Sequence, residues 1–168
     1  MGALTRVEYR SSSKYYVEDE KARKRWKTTL PFPTLVVSRV EVIDELSEGK
    51  LTTEYHYHHG YWDGGEREFR GFGRVDQRDT EEFDRYNEDG LHKDQKFNKV
   101  EEKRYFSPPM ETRSWFHMGP VGEGNGDWNE VDFTDEYWQE DPQALSRTEE
   151  TKAMLKALPR RARRDAYR

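Results

Sequence analysis

The sequence predicts a mainly β, antiparallel fold with one helix near the C-terminus. Three observations indicate this class. Polar and apolar residues alternate from the N-terminus to about residue 118, glycine- and proline-containing turns separate the alternating runs, and a helix-forming run follows at 148–158. We therefore divide the chain into a β-rich segment (1–118), a glycine-rich and acidic connection (119–145) and a C-terminal helical segment with an arginine cluster (146–168).

The first predicted strands lie in the N-terminal third of the chain. Val7 to Tyr9 and Tyr15 to Val17 read as two short strands around a serine turn. The clearest strand is LVVSRVEVI, from Leu35 to Ile43, which is β-branched and alternating. The turn at 48–50 and the alternating run from Leu51 to His58 predict that this strand returns as a hairpin.

Further strands and one helix follow. We expect strands at 66–76, 99–106 and 111–117, with turns at 87–90 and 107–109 between them. Ser146 to Glu149 fits a capping box for a helix from about Thr148 to Leu158, and Pro159 is expected to end or kink it.

Composition limits the classes of function. Hydrophobic residues make up 32% and charged residues 38% of the 168 residues, against roughly 45–50% and about 25% in ordinary globular domains. Aromatic residues at 14% nevertheless argue for a folded chain. The net charge of −5, with both signs interleaved, points to neither nucleic acid nor an anionic membrane as a partner. The sequence contains no apolar run of about 20 residues, and the N-terminus lacks the apolar core of a signal peptide.

The densest group of chemically active side chains is YHYHHGYWDGGEREFRGFGRV, from Tyr55 to Val75. His56 and His58 share a strand face, whereas His59 points the other way. No neighbouring carboxylate pattern completes a recognised zinc set, so we expect surface histidines and no metal site. The glycines match neither nucleotide-binding pattern, so we expect no cofactor. Gly71 and Gly73 within a strand are typical of a bulge or close backbone approach.

Catalytic and ligand-binding alternatives remain. Glu66 and Glu68 share a face and could form a carboxylate pair acting on glycosides. Their alternation with Arg67 and Arg70 is more simply explained by ion pairs with neighbouring strands. The tryptophans and tyrosines would suit sugar stacking, so a carbohydrate-binding β-module is the alternative function. We interpret the arginine cluster at 160–168 as a solvated or partner-facing surface.

The order of the motifs resembles the middle region of the B component of bacterial insecticidal toxin complexes, the Tc toxins. It is similar to related plasmid-virulence proteins and Rhs/YD-repeat toxins as well. The resemblance covers residues 4–118 and is most specific from Asp63 to Val75. Its motifs are Tyr9-Arg10-Ser11-Ser12, Trp26 to Pro33 running into Val36-Val37, Tyr55-His56-Tyr57, Gly60 to Gly64, Glu66 to Gly73, and Trp115-Phe116-His117.

The resemblance implies that the sheet is curved and forms part of a hollow Rhs/Tc-type shell, which encapsulates a toxic effector for delivery. The implied partners are the remainder of the B component, the C component and the enclosed effector, with no nucleic acid and no direct membrane insertion. The implied location is extracellular, within a secreted toxin complex involved in virulence. The implied role is structural and not enzymatic, and 168 residues are a fraction of such a shell.

The residues expected to carry that structural role form one segment. Gly71 and Gly73 would permit curvature or close approach, and Arg67 and Glu68, on opposite faces, would pair with neighbouring strands. The full set is Asp63, Gly64, Glu66, Arg67, Glu68, Phe69, Arg70, Gly71, Phe72 and Gly73.

Overall fold

The computed structural model describes residues 2–79, 82–122, 129–140 and 149–159. It contains a five-stranded antiparallel sheet whose strands lie in chain order. The strands are β1 (Ala3–Ser11), β2 (Leu35–Asp44), β3 (Lys50–Asp63), β4 (Glu68–Asp79) and β5 (Met110–Trp115). The helices are α1 (Ser12–Lys21), α2 (Phe83–Tyr86) and α3 (Glu149–Ala157), with short 3-10 helices at Lys103–Tyr105 and Thr134–Glu136. The predicted fold class, mainly β with a C-terminal helix, is confirmed.

The chain divides into two compact units. The first comprises Met1–Arg25, Phe32–His58 and Arg74–Ser114, and the second comprises Trp26–Pro31, His59–Gly73 and Trp115–Arg168. Strands β3 and β4 contribute residues to both units.

The predicted hairpin of the first unit is confirmed as β2 and β3. These strands pair from Arg39 opposite Glu54 to Ile43 opposite Lys50. Strand β1 pairs with the other edge of β2, and its register shifts once between Glu8 and Tyr9. Because a bulge adds twist, this shift is a local source of curvature in the sheet.

The end of β2 has a buried face that carries charge. Glu41 is fully buried beside Ile43, and its Oε1 accepts a hydrogen bond of 2.6 Å from Nε of Arg39. The backbone N–H of Leu91 donates to the other carboxylate oxygen over 2.7 Å. Lys50 is also buried and donates to the backbone carbonyl oxygens of Tyr86, at the end of α2, and of Glu88. Hydrogen bonds and ion pairs therefore stabilise this interior together with apolar contacts.

The strand predicted at Tyr15 to Val17 is wrong, because these residues belong to α1. Ser12, Tyr15 and Asp19 are the buried residues of this helix, and their spacing places them on one helical face. The Ser12 hydroxyl accepts a 3.0 Å hydrogen bond from the N–H of Thr34, and the Ser12 N–H donates to the Thr34 carbonyl over 2.8 Å. Contacts far along the chain thus override the local alternation.

The strand predicted at 99–106 is also wrong. The Asn87 side chain accepts the N–H of Val100 over 2.9 Å and donates to its carbonyl over 3.0 Å. These bonds satisfy the backbone groups that a sheet neighbour would otherwise bind. The chain then forms the 3-10 helix Lys103–Tyr105 before β5, and β5 confirms the strand predicted at 111–117 within two residues at each end.

The second unit has a small aromatic core. Tyr61, Met118 and Phe133 are buried in contact with one another, and Trp115 packs against them. The helix α3 confirms the predicted C-terminal helix and buries Leu155 against Leu158.

Several predicted features lie outside the described residues. They are the first three residues of the capping box, the arginine cluster at 160–168, and residues 123–128 and 141–145 of the connection. Within the described part of the chain, no helix is long and apolar enough to cross a membrane.

Candidate functional site

The segment from Asp63 to Gly73 forms the turn between β3 and β4 and the first half of β4. Asp63 is 1% exposed, and its Oδ1 accepts hydrogen bonds of 2.9 Å from the N–H of Gly65 and 3.0 Å from that of Glu66. Its Oδ2 lies 3.1 Å from Nη2 of Arg70. An aspartate that accepts hydrogen bonds from the residues after it fixes a tight turn, and burial makes its charged partner necessary.

Arg67 is not on a strand face, contrary to the prediction. It lies in the turn with a φ of 57°, in the left-handed region, and β4 begins only at Glu68. Glu68 is exposed and lies 3.5 Å from Arg70 on the same strand. The expected positions of Arg67 and Glu68 on opposite strand faces are therefore wrong for Arg67, because the turn is two residues longer than the alternation predicts.

The glycines of β4 have two different geometries. Gly71 has a φ of +85°, with open space around the position of a Cβ atom. At Gly73 an added Cβ atom would lie 2.5 Å from Cζ of Phe133 and 3.2 Å from Cβ of His59. Glycine at 73 thus permits close packing of the aromatic core onto the strand, whereas Gly71 permits an unusual backbone conformation.

A buried cluster joins α1 to β3 in the first unit. Asp19 projects from α1, and its Oδ2 lies 2.6 Å from Nδ1 of His58. Its other oxygen lies 3.4 Å from Nε2 of His56, and the two imidazole rings stack with centroids 4.5 Å apart. Asp19 and His58 are nearly inaccessible, whereas His56 is partly exposed. One carboxylate and two imidazoles therefore converge on a single point.

A second carboxylate lies on the far side of His58. Asp76 Oδ2 is 3.3 Å from Nε2 of His58, and Arg74 donates two hydrogen bonds, of 2.6 and 2.7 Å, to the Asp76 carboxylate. Burial tends to lower the pKa of His58, but its hydrogen bonds with Asp19 and Asp76 outweigh that effect and raise the pKa above the usual value. Burial would raise the pKa of Asp76, yet the bonds from Arg74 and His58 hold it well below the usual value.

The cluster opens into a cleft of the first unit with a volume of ≈ 630 Å³. Its walls are mostly polar and carry both signs of charge, including Arg10, Lys24, Arg39, Glu54 and Glu111. These polar walls offer an apolar ligand few apolar contacts. A small cation or a charged group could instead approach the cluster from solvent.

The third histidine of the sequence motif has different partners, in the second unit. His59 has a φ of 58°, and its Nδ1 accepts a 3.0 Å hydrogen bond from the N–H of Lys27. Its Nε2 lies 2.8 Å from the carboxylate of Glu136, which also accepts the indole N–H of Trp115 over 3.2 Å. His59 and Trp115 are thus engaged in packing, which leaves the Trp115 indole poorly placed to bind a sugar.

Strand alternation correctly predicts that His56 and His58 share a face, but it does not identify Asp19 as their carboxylate partner. Asp19 lies 39 residues before His58 on a segment that the sequence predicts partly as strand. Its spacing from Ser12 and Tyr15 was the available signal, because it matches one helical face.

Residues 1–101 match the sequence family of the insecticide toxin TcdB middle/N-terminal region. Three solved structures are similar to the chain. They are a TcdB2-TccC3-Cdc42 crystal structure (32% identity, TM-score 0.61, 87% of this chain), a Photorhabdus luminescens Tc holotoxin pore (33%, 0.60, 84%) and a TcdB2-TccC3-TEV crystal structure (31%, 0.55, 83%). The chain spans 6% of the length of each matched chain. No curated protein sequence matches it significantly.

Proposed function

The chain belongs to the family of the insecticide toxin TcdB middle/N-terminal region, and from this premise we propose that it is a structural wall segment of a Tc-type toxin shell that encloses a toxic effector. The observation that carries the proposal is the similarity over 87% of this chain to only 6% of a chain in a TcdB2-TccC3 complex. A segment of that relative size contributes one part of a larger surface.

The geometry of the sheet supports this role. β1 and β5 are the outermost strands, and each has one neighbour in the described sheet. Tyr9, Leu35 and Leu51 lie on strands with more than half of their surface exposed. Unpaired strand edges and exposed apolar side chains invite pairing with further strands. In the proposed shell, the remainder of the B component continues the sheet at these edges.

The Asp63–Gly73 segment supplies local rigidity in this proposal. The buried Asp63 carboxylate fixes the turn, and Gly73 lets an aromatic core pack directly onto β4. Such contacts hold a strand pair in one shape without a thick apolar layer. The residues act structurally, and we assign the chain no catalytic step.

The proposed partners are the rest of the B component, a C component and the effector within the shell, outside the producing cell. In this proposal the chain does not insert into a membrane, and other components make the contact with the membrane. Two of the solved relatives contain TcdB2 together with TccC3, which makes a C component the natural partner for a test.

A chimaera tests the proposal. The matching segment of TcdB2 is replaced by this chain, and the chimaera is co-expressed with TccC3. We expect a stoichiometric complex by size-exclusion chromatography, in which outward amides of β1 and β5 exchange hydrogen more slowly than in the isolated chain. Interior amides of β3 serve as the internal control and should be slow in both. A soluble, folded chimaera whose edge amides exchange as fast as in the isolated chain would contradict the proposal.

A further inference from the structure

We propose that Asp19, His56 and His58 form a binding site for one divalent first-row transition-metal ion, with Zn²⁺ as the ion that the ligand set suits. The proposal is independent of the toxin family, since it rests on three side chains of the first unit and the space between them. Their nearest ligand atoms all lie within 4.8 Å of one another. A carboxylate oxygen and two imidazole nitrogens are the usual ligands of zinc in proteins.

The distances allow a tetrahedral ion once the Asp19 carboxylate adjusts its position. Zinc bonds of about 2.0–2.1 Å place neighbouring tetrahedral ligands about 3.3 Å apart. Asp19 Oδ1 and His56 Nε2 are already 3.4 Å apart, and Asp19 Oδ2 and His58 Nδ1 are 2.6 Å apart. The second pair would open by about 0.7 Å to admit an ion. Because a different oxygen of Asp19 faces each imidazole, the carboxylate would also rotate so that one oxygen binds the ion. Three protein ligands leave one position for water from the cleft.

The Nε2 atom of His56 is a second, independent indication of a bound ion. It is buried and has no hydrogen-bond partner within the described part of the chain, even though it faces the Asp19 carboxylate. A buried nitrogen without a hydrogen bond costs free energy, and coordination to an ion would remove that cost. Because residues two apart on a strand share a face, β3 presents His56 and His58 to the same ion.

Asp76 and Arg74 provide the support that metal-bound histidines commonly have. With an ion bound at Nδ1, the remaining proton of His58 would lie on Nε2, which is 3.3 Å from Asp76 Oδ2. A carboxylate behind a ligating histidine fixes its tautomer and orientation. Arg74 in turn fixes Asp76 through two hydrogen bonds. The groups that would orient the ligand are therefore in place.

The competing occupant is a proton. A protonated His58 would lie between Asp19 and Asp76 as a buried ion pair and would not need an ion. That arrangement explains the 2.6 Å contact but leaves Nε2 of His56 unsatisfied, whereas a metal ion engages all three side chains. A bound ion would also join α1 to β3, elements far apart in the chain, and so stabilise the first unit.

Titration of the metal-free 168-residue chain with Zn²⁺ by calorimetry tests the proposal. We expect one equivalent per chain, and at least about tenfold weaker binding in each of the near-isosteric variants Asp19→Asn and His56→Gln. Asp76→Asn should weaken binding about 10–100-fold by removing the orienting carboxylate. Substitution with Co²⁺ should give the visible absorption of a tetrahedral site in the unsubstituted chain and lose it in Asp19→Asn.

His117→Gln is the control, because His117 is an exposed histidine of the second unit that pairs with Glu130. Its binding should equal that of the unsubstituted chain. Circular dichroism checks that every variant is folded. Absence of saturable binding, or equal binding in Asp19→Asn, His56→Gln and the unsubstituted chain, would overturn the site. Neither result bears on the wall role.

Discussion

Gly73→Ala is the substitution whose effect follows most directly from the geometry. The new methyl group would lie 2.5 Å from Cζ of Phe133, whereas carbon atoms in favourable contact are about 3.5–4.0 Å apart. Phe133 is 5% exposed and packs against Tyr61 and Met118, so its ring has little room to withdraw. The backbone of Gly73 is also held, because its carbonyl accepts the N–H of Phe116 over 2.9 Å. The clash therefore has to be relieved by displacing the core.

The expected loss of stability is about 1–2 kcal/mol. Overpacking of this kind costs roughly 1–3 kcal/mol. Alanine recovers about 0.4–1 kcal/mol of this by reducing the conformational freedom of the unfolded chain. For a chain of this size, the net loss corresponds to a fall in melting temperature of about 2–8 °C.

Urea-induced unfolding followed by tryptophan fluorescence measures the loss, with Gly64→Ala as the matched control. At Gly64 an added Cβ atom has nothing within 4 Å, so that variant should be unchanged or slightly more stable. Phe133→Leu should reduce the cost of Gly73→Ala when the two are combined, because a smaller side chain removes the clash. Equal stability of Gly73→Ala and Gly64→Ala would refute the packing argument.

Three further substitutions test the turn between β3 and β4 and the buried Lys50 by the same unfolding measurement. Asp63→Ala should cost about 1–3 kcal/mol by removing two hydrogen bonds of the turn, and an unchanged midpoint would show that the turn does not depend on this carboxylate. Arg67→Gly should be neutral or stabilising by up to about 1 kcal/mol, because its φ of 57° favours glycine; a clear loss would instead support an ion-pairing role. Lys50→Met should cost about 1–3 kcal/mol, since it leaves the carbonyl oxygens of Tyr86 and Glu88 without their buried donor, and a more stable variant would contradict this.

Much of the sheet could be predicted because its alternation is local. Leu35 to Ile43 is β-branched and alternating, and the turn before Leu51 sets a hairpin that the structure confirms. The face that is buried was not evident, because Glu41 on that face is covered by the backbone of a segment 50 residues later. Polar burial of this kind depends on partners distant in sequence and leaves no local pattern.

Two wrong predictions, a strand at Tyr15 to Val17 and a strand position for Arg67, also result from partners that the local pattern does not show. Tyr15 to Val17 are consistent with a strand, but Ser12 binds Thr34 and Asp19 lies against His58, so the segment is helical. Arg67 follows a strand-like alternation of charge, but Asp63 binds the two residues after Gly64 and lengthens the turn. In both places a side chain binds the backbone or a distant group and changes the local structure.

Protease protection of the effector tests the central claim most directly. The chimaera of TcdB2 that carries this chain is assembled with TccC3 and treated with a nonspecific protease, and the survival of the effector is compared with that in the TcdB2-TccC3 complex. If this chain is a wall segment, the effector should survive equally in both complexes and become sensitive in a chimaera carrying Gly73→Arg, which forces a large side chain into the aromatic core. An assembled chimaera with intact flanking regions and an effector digested as fast as the free polypeptide would contradict the account.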